Sequence, residues 1–414
     1  MEQFQRALQI HVPQIRSKPA DLSDWGSFKP LEGEEPLEGE CMLDVEKFLG
    51  EVMAIVGNGA SLRRVNKMWR RCINANVRRI ELRNYKGFSH EHRLDTISLN
   101  FRNLKELVLP ARFKVTSFGS ERLRSLQNLR KVTLNGTNIS RKGIQWLEDL
   151  TSLRVLCMWI PRVDQSTPSG FTILGDLTQL KELELHDARG RNNSSNHFVG
   201  LIGLRSLRLW NSFVLLADFP SLTRLEVHAR DLGFLGSHRR LIFRENLNRI
   251  GYISSLDELK LHGWKLDGFH VSAEQFSTWN GLSRLRLLSI ERCFTQHILG
   301  AMSSLTSMQE LVLKWCRTGT LNYFTSLMSL SVSRMFLDVG SVVELTALTA
   351  LKVYSCYTET GARFTNLTSL RQLSHLELVD SGHVHQDDFD ILAAHIPHVV
   401  IEESPTPLLG AGKF

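Results

Sequence analysis

Residues 180–186 read LKELELH, and residues 204–210 read LRSLRLW. Both stretches carry leucine at the first, fourth and sixth positions, in the pattern L-x-x-L-x-L, with polar residues between the leucines. Side chains alternate faces along a β-strand, so the last two leucines of each stretch point to one face and the residues between and after them point to the other. The first leucine lies at the turn that enters the strand. Each stretch therefore predicts one short strand with a single buried face.

The same pattern recurs fourteen times along the chain, and successive triplets begin mostly 19 to 29 residues apart. Two steps differ, because Leu204 and Leu222 are only 18 residues apart whereas Leu222 and Leu256 are 34 apart. We interpret the short step as a compressed coil and the stretch from His238 to Ile250 as an insertion or an enlarged return helix. The triplets are Val77-Ile80-Leu82, Leu104-Leu107-Leu109, Leu129-Val132-Leu134, Leu153-Leu156-Met158, Leu180-Leu183-Leu185, Leu204-Leu207-Leu209, Leu222-Leu225-Val227, Leu256-Leu259-Leu261, Leu285-Leu288-Ile290, Met308-Leu311-Leu313, Leu327-Leu330-Val332, Leu348-Leu351-Val353, Leu373-Leu376-Leu378 and Ile396-Val399-Ile401.

This spacing resembles that of leucine-rich repeats. The resemblance implies an α/β fold: a horseshoe solenoid of the ribonuclease-inhibitor type, with a short helical segment at its N-terminal end. Each repeat would contribute one strand, closed by a short helix or an irregular return segment. One repeat cannot cover its own apolar face, whereas stacked repeats bury a continuous core. The alternative is an ordinary leucine-rich α/β domain.

The six cysteines include no CxxC pair, so the sequence indicates neither a zinc knuckle nor a disulfide framework. Cys293, Cys316 and Cys356 each lie three residues past the end of their triplet. In leucine-rich repeats this position turns inward and meets backbone groups of the loop that would otherwise stay unpaired. We predict that these three thiols are buried turn residues, not nucleophiles or metal ligands.

The chain is predicted to have four parts: an N-terminal extension (1–40), a helical segment (41–76), the solenoid of about fourteen repeats (77–405) and a C-terminal tail (406–414). Within the second part the stretch LRRVNKMWRRCINA at 62–75 has apolar residues at helical spacing. It resembles the later part of an F-box, with matching positions at Leu62, Val65, Trp69 and Arg70. The resemblance implies that these residues bind a Skp-family adaptor and that the solenoid holds the substrate of a cullin-type ubiquitin ligase. The alternative is a terminal cap that covers the exposed edge of the core.

Residues just after each triplet are expected on the open, concave face, where a protein partner would bind. On neighbouring strands this position predicts a row of rings, namely Trp159, His186, Trp210, His228 and His262, with Tyr354 further along. A second column, between the last two core positions, reads Cys157, Glu184, Arg208, Glu226 and Lys260. Aromatic residues are over-represented at interface hot spots, and mixed charges set partner specificity. The competing interpretation is that these are ordinary exposed side chains.

Searches for catalytic motifs find no phosphate-binding loop, HExxH or GxSxG sequence, so we expect neither an enzyme nor a cofactor. The histidines of the concave column could form a metal-binding or pH-sensitive row, but ordinary surface contacts are favoured and no metal is expected. The cluster His383, His385, Asp387 and Asp388 fits a polar turn and an acidic helix start better than a metal site. The net charge of +7 is spread along the chain, which argues against nucleic acid as a partner. Lacking a secretory leader or a membrane-length apolar run, the chain is expected to be a cytoplasmic or nuclear monomer outside its complex.

Overall fold

A computed structural model of the protein describes most of the predicted solenoid. The described residues are 77–82, 90–134, 138–139, 144–159, 172–186, 198–210, 216, 219–228, 245–262, 273–291, 302–316, 320–358, 363–380 and 386–402. The predicted extension, the helical segment at 41–76 and the tail at 406–414 lie outside these ranges. The same holds for the four F-box-like positions, Leu62, Val65, Trp69 and Arg70. The proposed boundaries of these parts and the adaptor-binding role of those residues therefore stay predictions.

One parallel sheet of fourteen strands runs through the described residues, and each strand pairs with the next one along the chain. Every predicted triplet corresponds to one strand, which confirms the leucine-rich-repeat solenoid. Parallel neighbours need a crossover connection, and the return segments provide it. The strands are β1 (Arg79–Glu81), β2 (Glu106–Leu109), β4 (Lys131–Leu134), β6 (Val155–Trp159), β7 (Glu182–His186), β8 (Ser206–Trp210), β9 (Arg224–His228), β10 (Glu258–His262), β11 (Leu287–Glu291), β12 (Glu310–Lys314), β13 (Ser329–Ser333), β15 (Ala350–Tyr354), β17 (His375–Val379) and β18 (His398–Glu402).

Register between the strands is constant, so equivalent triplet positions stand opposite one another. Leu183 pairs with Leu207, for example, and Leu185 with Leu209. The triplet side chains are all buried except Val227, Val399 and Ile401, which are partly buried. Burying one leucine contributes about 1.5–3 kcal/mol of transfer free energy. A stack of such residues along the sheet is therefore the main source of stability.

Return segments on the other side of the core are short helices, 3-10 turns and tight loops. The α-helices are α1 (His90–Asn100), α2 (Ser117–Leu123), α3 (Thr172–Asp176), α4 (Val339–Val342) and α5 (Gln386–His395), and the 3-10 segments are Gln145–Leu147, Ala273–Gly281 and Phe364–Ser369. Two small parallel sheets join neighbouring returns, β3 (Lys114–Val115) with β5 (Asn138–Ile139) and β14 (Phe336–Leu337) with β16 (Tyr357–Thr358). In the long step between Leu222 and Leu256, residues 245–250 are helical, which agrees with an enlarged return helix. No helix in the described ranges is long and apolar enough to cross a membrane.

The turn after the strand has a repeated geometry in the C-terminal half of the sheet. Four residues that directly follow a strand have positive φ angles near 50°, and each donates its backbone N–H to the carbonyl of the last residue of the next strand; they are Trp315, Arg334, Ser355 and Asp380. The next residue is buried in three of these repeats, as Cys316, Met335 and Cys356. Cys316 and Cys356 are buried, and their thiols donate to backbone carbonyls. This confirms the prediction for two of the three turn cysteines, whereas Cys293 lies outside the described residues.

Candidate partner-binding face

The predicted row of rings lies at the ends of five adjacent strands, β6 to β10. Trp159 pairs in register with His186, and His186 with Trp210. The series continues from Trp210 to His228 and from His228 to His262. Neighbouring strands are about 4.8 Å apart, so equivalent side chains on one face come within stacking distance.

Ring contacts follow the series without a break. The ring centroids of Trp159 and His186 are 6.3 Å apart with planes at 35°, and those of His186 and Trp210 are 5.5 Å apart and nearly parallel at 2°. Trp210 stacks on His228 at 3.5 Å and 7°, and His228 on His262 at 4.4 Å and 12°. We call these five residues the ring ladder. Its outer end is the most accessible, because Trp159 is 47% exposed.

Carboxylates lie beside the histidines of the ring ladder. Nε2 of His186 is 2.8 Å from Oε1 of Glu184, and Nε2 of His228 is 2.6 Å from Oε1 of Glu226. Each pair is two residues apart on one strand, so both side chains leave the same face of the sheet. The second predicted column thus supplies hydrogen-bond partners for two of the rings.

Arg208 lies between the two carboxylates of this column. Its guanidinium is 3.7 Å from Glu184 and 3.3 Å from Glu226. Lys260, the last member of the column, is 3.7 Å from Glu258 on its own strand. The face beside the rings therefore carries both signs of charge in alternation. That arrangement can select a partner by charge complementarity.

Burial and hydrogen bonding set the protonation of this face. Burial lowers the pKa of His228, and the hydrogen bond to Glu226 opposes that change. The hydrogen bond from His186 lowers the pKa of Glu184 despite its burial. Burial raises the pKa of the Cys157 thiol to about 11, with a further contribution from the nearby charge of Glu184. This thiol is therefore protonated near neutral pH and is a poor nucleophile.

Two groups of side chains in this face have the chemistry of metal ligands. Cys157, Glu184 and His186 form one group, and Glu226, His228 and His262 form the other. In each group one ligand atom from every residue lies within 4.8 Å of the other two. The sequence also contains a cluster of two histidines and two aspartates near the C-terminal helix α5. Asp387 and Asp388 lie in the first turn of α5, as expected of an acidic helix start, whereas His383 and His385 lie outside the described residues.

Tyr354 is on the same face but is not part of the ring ladder. It ends β15, and the equivalent positions between it and His262 hold Glu291, Lys314 and Ser333. Burial raises the pKa of Tyr354 to about 12, and its hydroxyl also bonds Glu377. Its position on the face agrees with the prediction, but it is separated from the rings by three strands.

One further ring contact was not anticipated from the sequence. The guanidinium of Arg334 lies 4.8 Å from the centroid of the Trp315 ring. Both residues directly follow a strand and have positive φ angles. The L-x-x-L-x-L pattern carries no signal for this pair, because the two positions fall outside the triplets.

The sheet and its triplets define the class of this protein as a leucine-rich-repeat solenoid. No protein-family model matches the chain, and no curated protein matches it. Solved structures with a similar arrangement include an internalin from Listeria monocytogenes, with a TM-score of 0.48 and 16% identity over 76% of this chain and 88% of that one. A leucine-rich-repeat protein from Leptospira interrogans has a TM-score of 0.36 and 17% identity over 81% of this chain and 97% of that one.

A plant receptor gives a third similar structure. The leucine-rich-repeat ectodomain of a membrane receptor kinase from Arabidopsis thaliana, solved in complex with Casparian strip integrity factor 2, has a TM-score of 0.42 and 15% identity. The match covers 80% of this chain and 40% of the receptor chain. At these scores the class rests on the sheet and the triplets of this chain themselves. None of the matches bears on the F-box resemblance.

Proposed function

We propose that this chain is a protein-binding solenoid that captures a polypeptide partner on the open face of its sheet, without catalysing a reaction. The observation that carries the proposal is the unbroken series of ring contacts across five adjacent strands, in which three contacts are stacked and the outermost one is tilted. Exposed rings that occur singly are common on protein surfaces, whereas here they follow one another in strand register. A partner that covers this series would bury the exposed ring of Trp159 together with the accessible edges of the partly buried imidazoles.

The physical basis of the proposal is that binding costs little side-chain entropy when the rings are already ordered in the free protein. Trp210 is held between two imidazoles, so little side-chain freedom remains to be lost when a partner covers it. Trp159, at the exposed end, offers ring surface that a partner can desolvate. A cationic side chain of a partner would stack on the exposed ring of Trp159, because imidazoles already cover both faces of Trp210. The face therefore favours a partner segment that carries arginine or lysine.

Alanine substitution of the two tryptophans tests this proposal. Hot-spot residues of this type contribute about 2 kcal/mol or more, so Trp159→Ala and Trp210→Ala should each weaken partner binding by about 30-fold or more. The assay is quantitative affinity capture from source-cell lysate, with circular dichroism to verify the fold. Tyr252→Ala is the matched control, because Tyr252 is 71% exposed on a return segment away from the sheet. Capture that is unchanged by both tryptophan variants contradicts the proposal.

A finer role is a substrate receptor of a cullin-type ubiquitin ligase. Its support is the F-box-like sequence at Leu62, Val65, Trp69 and Arg70 alone. The test is co-precipitation of a purified Skp-family adaptor with the full chain and with Leu62→Ala and Trp69→Ala variants. Adaptor binding that the variants lose supports the ligase role. A chain that binds no adaptor fits the second candidate, a ligase-independent scaffold or sensor with the same partner-binding face.

A further inference from the structure

Three ligand atoms converge at the inner end of the ring ladder. Oε1 of Glu226 lies 2.6 Å from Nε2 of His228 and 3.8 Å from Nε2 of His262. Glu226 and His228 leave the same face of β9, and His262 stands opposite His228 on β10. The sheet itself therefore brings two imidazoles to one carboxylate oxygen.

A second carboxylate orients one of the imidazoles from behind. Nδ1 of His262 lies 3.2 Å from Oε2 of Glu291 on the next strand, β11. When Nδ1 carries the ring proton and donates a hydrogen bond to Glu291, the lone pair of Nε2 faces Glu226. Histidines that bind metal ions commonly donate their other ring N–H to a carboxylate in this way, which fixes the tautomer and makes the ligand more basic. Glu291 thus acts as a positioning residue.

The separations fit a small ion with nitrogen and oxygen ligands. Bonds of about 2.0–2.1 Å in a tetrahedral site put the ligand atoms about 3.3 Å apart. The two distances from Glu226, 2.6 Å and 3.8 Å, lie on either side of that value. The planes of His228 and His262 are only 12° apart, so both rings must turn for their lone pairs to converge. Both side chains are 19% exposed, and for this rotation His228 must leave its stack on Trp210.

We propose that Glu226, His228 and His262 bind a divalent transition-metal ion of the Zn²⁺ type. Two imidazoles with one carboxylate suit zinc, whereas Ca²⁺ and Mg²⁺ prefer oxygen ligands throughout. The three side chains leave one tetrahedral position open toward the face of the sheet, where water or a donor atom of a partner completes the shell. The site lies on the proposed partner-binding face but does not depend on it, because the chain alone supplies all three protein ligands.

The neighbouring group of Cys157, Glu184 and His186 is the weaker candidate. It holds a single imidazole instead of two, whereas the pairing of its carboxylate with Arg208 is common to both groups. No second carboxylate on the next strand orients His186 in the way that Glu291 orients His262, since Arg208 and Trp210 occupy the equivalent positions on β8. The observations therefore favour the group on β9 and β10.

Calorimetric titration of the metal-free 414-residue chain with Zn²⁺ tests the proposal. The visible absorption of bound Co²⁺ reports the ligand geometry. We expect one site, which His228→Ala and the near-isosteric Glu226→Gln both remove. Glu291→Gln should weaken binding by about 10- to 100-fold, as loss of such an outer partner does. Circular dichroism shows whether each variant is folded. No partner is present in this titration, so it can fail independently of the partner-capture experiment.

A second histidine pair provides the matched control. His375 and His398 also stack across neighbouring strands, with centroids 4.6 Å apart, but belong to neither metal-capable group. The double variant His375→Ala/His398→Ala should keep the wild-type affinity. The proposal is overturned if wild-type protein shows no Zn²⁺ site, or if His228→Ala retains it. Loss of Zn²⁺ binding in the control variant would overturn it as well. So would a result in which Cys157→Ser loses the ion and His228→Ala keeps it.

Discussion

Two buried tryptophans offer a matched measurement of how neighbouring return segments are joined. Trp279 and Trp146 are both fully buried in 3-10 segments. The indole N–H of Trp279 donates to the carbonyl of Leu247 in the preceding return segment, at 2.9 Å. The indole N–H of Trp146 has no hydrogen-bond acceptor among the described residues. Phenylalanine at either position removes the same atoms, so the hydrophobic and cavity costs should be similar.

The difference between Trp279→Phe and Trp146→Phe therefore reports the hydrogen bond. Leaving the buried carbonyl of Leu247 without its donor costs about 1–3 kcal/mol, whereas Trp146→Phe removes a donor that has no acceptor among the described residues. We expect Trp279→Phe to be the more destabilising variant by about that amount. In a repeat protein each repeat contacts only its neighbours, so the effect should be local.

Hydrogen exchange measured by mass spectrometry is the appropriate assay, because local opening in a long repeat array need not follow a two-state transition. In Trp279→Phe, amides of β10 and β11 should open about 5- to 150-fold more often than in the wild-type chain. This figure is obtained after the change in opening free energy that Trp146→Phe causes in β4 and β6 has been subtracted. Urea unfolding of both variants gives a global comparison. Equal destabilisation by the two substitutions, or a larger effect of Trp146→Phe, refutes the reasoning.

Two further predictions concern a thiol and a turn. Cys157 should react with iodoacetamide at pH 8 about 100-fold more slowly in the folded chain than in urea. The reason is that burial raises the pKa of the thiol from 9.0 to about 11, so that almost no thiolate is present at this pH. Peptide mapping gives the rate of alkylation, and equal rates in both states contradict the expectation. Gly251→Ala should destabilise the chain by about 1–3 kcal/mol, since the new Cβ would overlap the backbone of Thr278 in the next return segment. Gly203→Ala is its control, because there the nearest atom is the flexible end of a lysine side chain; a Gly203→Ala cost that equals the Gly251→Ala cost in thermal unfolding would argue against the crowding.

The strands were predictable because their signal is local and repeated. Each triplet combines the two-residue period of a strand with a fixed turn position, and all fourteen correspond to strands. The return segments were left open between a helix and an irregular path. At Leu123 the chain ends a helix, whereas Met302 begins a turn in which Leu305 donates its N–H back to the Met302 carbonyl. Leucines three residues apart suit either form, and packing on the adjacent repeat decides between them.

The residue types of the candidate site were predictable, but its contacts were not. Counting one position past each triplet identifies the rings of β6 to β10, since that position always leaves the same face. The hydrogen bond between Glu291 and His262 on the adjacent strand depends on side-chain rotamers that the sequence of a single repeat does not determine. By contrast, the position of Tyr354 further along the same face could be read from the sequence, because Glu291, Lys314 and Ser333 occupy the equivalent positions between it and His262.

The ring ladder and the proposed metal site make opposite demands on His228. In the stack its ring lies flat on Trp210, with centroids 3.5 Å apart, whereas ligation requires the ring to turn. Breaking an aromatic pair of this kind costs about 0.5–1.5 kcal/mol. Trp210→Ala should therefore raise the affinity for Zn²⁺ by about 2- to 13-fold, even though it is expected to weaken partner binding.

Titration of Trp210→Ala beside Trp159→Ala checks this coupling, because Trp159 does not contact His228 in the ladder and its loss should leave Zn²⁺ affinity unchanged. The coupling between two ligands is reciprocal. A partner that needs the intact stack should therefore bind more weakly when the ion is present, unless the open coordination position of the ion forms a bond to that partner. Unchanged Zn²⁺ affinity in Trp210→Ala would mean that His228 can bind the ion without leaving the stack. In that case the requirement for ring rotation, and with it the antagonism between metal and partner, is wrong.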